Sequence, residues 1–172
     1  MEKQKIFFTS DLHFGHENVL RFDNRPFETV EEMDEELIKR WNDKVGNGDL
    51  VYVLGDLIWK TATNEAVQII KRLNGQIILI KGNHDRFLHN AVAKKALAGI
   101  KEYDDISVML EDGTVRRCIL SHYFIPFYNG HRYNAIHLHG HRRLARSGRV
   151  ELERIAVDKR DACIFLRCDG KG

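Results

Sequence analysis

The sequence predicts an α/β fold, with a first half wound as β-α-β units and a second half made mostly of strand. Three runs, Lys5–Thr9, Leu50–Leu54 and Gln76–Ile80, are apolar throughout rather than alternating, as strands covered on both faces must be. Between them lie segments whose apolar residues recur at helical spacing. Past Ala98 the texture changes to short strand-like runs separated by turn residues.

The first strand, Lys5–Thr9, ends at Ser10-Asp11. After a polar loop reaching Arg25-Pro26-Phe27, Thr29 is placed as a helix cap. Glu31 and Glu32 suit the first turn, and Met33, Leu37, Ile38 and Trp41 form an apolar stripe. Gly46-Asn47-Gly48-Asp49 turns the chain into the strand Leu50–Leu54. A second helix over Asn64–Leu73 buries Ala66, Val67, Ile69, Ile70 and Leu73 and stops at Asn74-Gly75. Strand Gln76–Ile80 follows, then a third helix over Phe87–Ala98. Ile106–Leu110 and Val115–Leu120, joined through Asp112-Gly113, form a hairpin. Ala135–His139 is a further strand, with strand-like runs at Val150–Val157 and Cys163–Arg167. With two prolines, no biased tract and no internal repeat, residues 1–172 read as one domain.

A chain of 172 residues can bury a substantial core. A net charge of +2 is too small to argue for nucleic acid or a membrane surface. Acids outnumber Lys and Arg as far as Val115, whereas the remainder is Arg-rich. Most of those arginines form a solvated basic face, with one or two available to an anionic substrate. Met1-Glu2-Lys3-Gln4-Lys5 runs straight into Ile6-Phe7-Phe8 without an apolar leader, which argues against secretion. No stretch is long and apolar enough to span a bilayer. Three cysteines without CxxC spacing fit a reducing interior, so the expected location is cytoplasmic.

Five segments carry the chemistry: Asp11-Leu12-His13, Gly55-Asp56, Gly82-Asn83-His84-Asp85, Ser121-His122, and His137-Leu138-His139-Gly140-His141. Each follows a strand-like run, and in open α/β sheets functional groups gather at the carboxyl ends of strands. Carboxylate, carboxamide and imidazole donors together suit Mn, Fe, Zn or Ni. Asp11 and His13, two residues apart on an extended strand end, point to the same side. Gly55 permits close approach, and Asp56 beside it can bridge two cations. Asn83 offers a neutral oxygen that limits negative charge. His84 is left free as a general acid, since imidazole titrates near neutrality, and Asp85 is placed to hold that ring. His137, His139 and His141 alternate along one strand face, with His137 deepest and packed. Taken singly, most segments have an ordinary explanation as capped turns or surface histidines; three histidines within five residues do not.

In this order the segments resemble the calcineurin-like metallophosphoesterase superfamily, whose pattern of DxH, GD, GNH(D/E), H and GHxH they meet. The stretch Thr9–His16, with Arg25-Pro26-Phe27 and Glu31-Glu32-Met33, resembles its small bacterial and phage members. The resemblance implies a four-layer α/β/β/α sandwich holding two divalent metal ions, with manganese favoured. Asp11 and His13 would bind the first and Asp56 would bridge. Asn83, His122 and His141 would bind the second. His84 would assist the leaving group, with Asp85 behind it. One position departs, because the final histidine of the pattern falls at 143, where this chain has Arg143. Either the first metal lacks that ligand, or His139 and His141 supply the pair in a shifted register.

The implied reaction is hydrolysis of a small phosphate ester, a phosphodiester before a monoester, by a hydroxide activated between the metals with His84 as proton donor. His16, Arg25 and Arg143 are candidates for gripping substrate oxygens. Two other readings remain. A protein-interaction scaffold of the same fold would explain the departure at Arg143. A nuclease acting on DNA or RNA would use the Arg-rich end, although no clear aromatic-basic groove accompanies it.

Overall fold

Phe7 and Phe8 are adjacent on the first strand yet belong to two different cores, and that division organises the molecule. A computed structural model describes residues 4–59, 63–110, 113–141 and the backbone of 166–169. Its strands are β1 (Lys5–Thr9), β2 (Leu50–Val53), β3 (Gln76–Ile80), β4 (Gly99–Lys101), β5 (Tyr103–Met109), β6 (Val115–Ser121), β7 (Ile136–His139) and β8 (Leu166–Asp169). The first sheet has the order β4-β3-β2-β1-β8, parallel except for β8 against β1. The second has the order β5-β6-β7, an antiparallel hairpin with β7 parallel to β6.

Because strand side chains alternate, Phe7, Val51, Val53, Ile77 and Leu79 leave one face of the first sheet. They pack there with the helices α1 (Val19–Phe22), α2 (Val30–Lys44), α3 (Thr63–Arg72) and α4 (Ala91–Lys95). Phe8, Tyr52, Leu54 and Ile80 leave the opposite face and meet Val108, Cys118, Leu120 and Leu138 of the second sheet. Among the described residues the layers therefore run helix, sheet, sheet, as in the inner part of the expected sandwich. The outer helical layer is not among them. No helix of the described residues is long and apolar enough to cross a membrane.

Helix α2 follows its sequence signals closely. Thr29 accepts the Glu32 N–H at 3.1 Å as N-cap, and Met33, Leu37, Ile38 and Trp41 are buried. The helix expected over Phe87–Ala98 is instead a 3₁₀ turn, Arg86–His89, followed by the single-turn α4. Asn90 breaks it: its side chain accepts the N–H groups of Val92 and Ala93 and restarts the helix as a cap. The one-turn α1 and the three-residue edge strand β4 are too short to show a period, and neither is expected from the sequence. The 150–157 run, Asp112 and residues 163–165 of the last expected run lie outside the described residues; Leu166 and Arg167 of that run open β8.

Candidate metal centre

The loops that leave β1 and β2 stay paired beyond the strands. Asp11 N–H donates to Gly55 O at 3.0 Å, His13 N–H to Asp56 O at 2.9 Å, and Phe14 N–H to Leu57 O at 3.0 Å. This pairing curls both loops toward the rim. Asp11, His13 and Asp56 take φ of 56°, 54° and 56°, and His141 takes 51°. Left-handed backbone in non-glycine residues costs energy and collects at functional sites. The expected extended strand end at Asp11 and His13 is thus a left-handed turn, but the two side chains still converge. Gly55, at φ 92°, has no alternative, because a Cβ there would collide with the His122 ring.

Asp56, 2% exposed, is the centre of the arrangement. Its Oδ2 lies 3.7 Å from His13 Nε2 and 3.6 Å from His122 Nε2, while His13 Nε2 is 4.0 Å from Asp11 Oδ1. Two donor groups result, Asp11-His13-Asp56 and Asp56-His122-His141, and they share Asp56. The carboxamide of Asn83 joins the second, with Oδ1 2.9 Å from His122 Nε2.

The donor chemistry fits cations. His122 Nδ1 is 2.9 Å from Leu54 O, which can only accept, so the ring proton resides on Nδ1. In the neutral ring the bare Nε2 then faces the oxygens of Asn83 and Asp56. Lone pairs turned on one another repel until a positive charge sits between them. Burial, aided by the Arg25 charge, lowers the pKa of His13 to about 3, so its ring is neutral and its lone pair free. Burial also raises the Asp11 carboxyl above the usual range, opposed by the Ser10 hydrogen bond. Both Asp11 oxygens accept the His141 N–H, at 3.1 and 3.2 Å.

The last motif meets the cluster at Gly140 and His141. A Cβ at Gly140 would run into Leu54 O and lie 2.9 Å from Asp11 Oδ2. His141 therefore reaches the cluster. His139 does not: its Nδ1 contacts Gly140 O, and its ring stacks on His137 at 5.1 Å. Arg143 lies outside the described residues.

Two further expectations change. Asp85 does not stand behind His84; its oxygens accept the N–H groups of Gly82, Leu57 and Asp56 at 2.7, 2.8 and 3.0 Å. It fastens the loop after β2 to the loop after β3, and burial pushes its carboxyl up. Arg25 is buried rather than turned toward substrate. Its guanidinium donates to Asp11 O and Leu12 O, both at 2.8 Å, and so braces the strained turn that carries Asp11 and His13.

His84 stays out of both donor groups while its ring lies 5.6 Å from that of His13, and its backbone N–H donates to Asp56 Oδ1 at 2.9 Å. His16 is buried beside it, 6.5 Å away, under Trp59. Trp59, against His16 and His84, and Tyr123, against His122 and His141, are absent from the sequence expectations for the site. The available signal was an aromatic residue just past each of two motif segments, Gly55-Asp56 and Ser121-His122.

A sequence model describing calcineurin-like phosphoesterases matches residues 4–166. An uncharacterized protein from Methanocaldococcus jannaschii is 49% identical over 88 residues, covering 51% of this chain and 50% of that one. The gene 66 protein of Mycobacterium phage L5 is 40% identical over 80 residues, covering 45% of this chain and 38% of its own. The chain thus spans half or less of the length of these curated relatives. The crystal structure of a protein of unknown function from Aquifex aeolicus superposes with a TM-score of 0.61 at 26% identity, covering 84% of this chain and 82% of that one.

Proposed function

The chain belongs to the calcineurin-like phosphoesterase family, and from that premise we propose that it hydrolyses a small phosphate ester, a phosphodiester before a monoester, at the cluster centred on Asp56. The observation that carries this reading is the sharing of one buried carboxylate by two groups of donors. Asp11, His13 and Asp56 would hold one divalent ion; Asp56, Asn83, His122 and His141 would hold the other. Bound there, two such ions supply Lewis acidity, polarising phosphoryl oxygens and making a coordinated water acidic. The mixed oxygen and nitrogen set, rich in hard oxygen, makes manganese our first assignment.

The chain's own part lies in placement and proton supply. The oxygen of water adds to phosphorus, one of its protons passing to solvent, and the bond from phosphorus to the departing oxygen breaks. His84, near the cluster but outside both donor groups, gives its proton to that oxygen. The Asp56 contact with the His84 N–H fixes the segment that carries the acid relative to the shared carboxylate.

Turnover of bis-p-nitrophenyl phosphate tests the reading. Release of p-nitrophenol is expected with added Mn²⁺, its loss with EDTA, and its return when Mn²⁺ is restored. Absence of release at every metal tried would leave the scaffold reading in place.

A further inference from the structure

Trp59 is 38% exposed, whereas Trp41 is fully buried. A partly exposed indole often does no more than roof a core, since tryptophan is rarely buried completely. Among the described residues the rings recorded against Trp59 are imidazoles. Its indole stacks on His16 with centroids 3.8 Å apart and an interplanar angle of 17°, and lies 4.7 Å from the His84 ring. Phe22, 70% exposed, extends this surface with its ring 6.4 Å from that of His16. The backbone beneath the ledge is held in place: the Trp59 backbone N–H donates to Phe14 O at 2.9 Å, continuing the pairing of the two loops that carry Asp11, His13 and Asp56. A flat aromatic surface, partly open and within one ring's contact of the proton donor, is suited to receive a second planar ring.

We propose that Trp59 forms a stacking subsite beside the metal centre, so that the ester processed there carries a nucleobase and is a nucleotide phosphoester rather than a sugar or alkyl phosphate. The proposal rests on the phosphoesterase reading for the position of the phosphate and adds the identity of the group attached to it. A base reached through its ribose lies on the Trp59 face turned away from His16 while its phosphate reaches the Asp56 cluster. Stacking tolerates any base, because every base has a π face.

Binding without turnover provides the test. Dissociation constants of AMP, phenyl phosphate and ribose 5-phosphate are measured by titration calorimetry on the full chain with Mn²⁺ present. AMP is expected to bind about tenfold or more tightly than ribose 5-phosphate, the scale of one base stacked on an aromatic ring. Trp59→Leu should erase that ratio, and Trp59→Phe should retain most of it. Because Trp41 is buried, AMP should alter the intrinsic tryptophan fluorescence of the native chain and leave that of Trp59→Phe unchanged. Equal affinity for AMP and ribose 5-phosphate, survival of the preference in Trp59→Leu, or no measurable AMP binding would each overturn the proposal. Phenyl phosphate binding as tightly as AMP would overturn the assignment to nucleotides. The two readings fail separately. An AMP preference that depends on Trp59, found together with inertness toward bis-p-nitrophenyl phosphate, removes hydrolysis and leaves the subsite. Hydrolysis without that preference does the reverse.

Discussion

Asp56→Asn is expected to strip the protein of both divalent ions and to lower kcat/KM on phosphodiesters by a factor of about 10⁴ or more. Each cation stabilises transition-state charge by several kcal/mol, and each 1.4 kcal/mol is about tenfold in rate. The substitution conserves shape, so the fold should survive. The asparagine oxygen can still accept the His84 N–H that Asp56 Oδ1 accepts now, at 2.9 Å. What it cannot do is present a second anionic oxygen to His13 and His122 together, at 3.7 and 3.6 Å. Its –NH₂ would instead turn donors toward the place where a cation is expected. Elemental analysis alongside a melting curve separates the possibilities. Loss of metal at unchanged Tm supports the bridging role, while retention of both ions and near-normal turnover would refute it.

His84→Ala should lower turnover by about 10² to 10⁴, the usual contribution of a positioned proton donor, with bound metal nearly intact. The separation follows from geometry. His84 belongs to neither donor group, yet its ring lies 5.6 Å from His13, which does. The loss should also depend on the departing group. p-Nitrophenolate leaves without needing a proton, whereas an alkoxide does not, so alkyl esters should suffer most. A loss that is equal on both, or that tracks the metal content, would place His84 among the ligands instead.

The sequence carried most of the fold wherever a pattern repeats. β1 and β3 fall at the expected bounds, and Thr29 caps α2, because long apolar runs and a capped stripe are each written locally. Short elements escaped: α1 and β4 are held by contacts distant in the chain, such as the pairing of Gly99 with Ile78. The site divides along the same line. That five strand ends share one rim follows from topology, and the structure brings Asp11, His13, Asp56, Asn83, His122 and His141 together. What individual side chains face does not follow. Asp85 is adjacent to His84 in sequence, yet it binds backbone amides from the neighbouring loop. Arg25 reads as a free cation but closes on carbonyls thirteen and fourteen residues away. That His141 reaches the cluster while His139 turns to Gly140 O and His137 depends on the path of the chain at Gly140, whose missing side chain makes room for Leu54 O, a contact visible only in three dimensions.

Crystals grown with Mn²⁺ and measured on both sides of the manganese absorption edge test the central claim most directly. Two anomalous peaks flanking the Asp56 carboxylate are expected, one beside Asp11 and His13 and the other beside Asn83, His122 and His141. A map with no peak at Asp56, or with manganese bound only elsewhere, would contradict it.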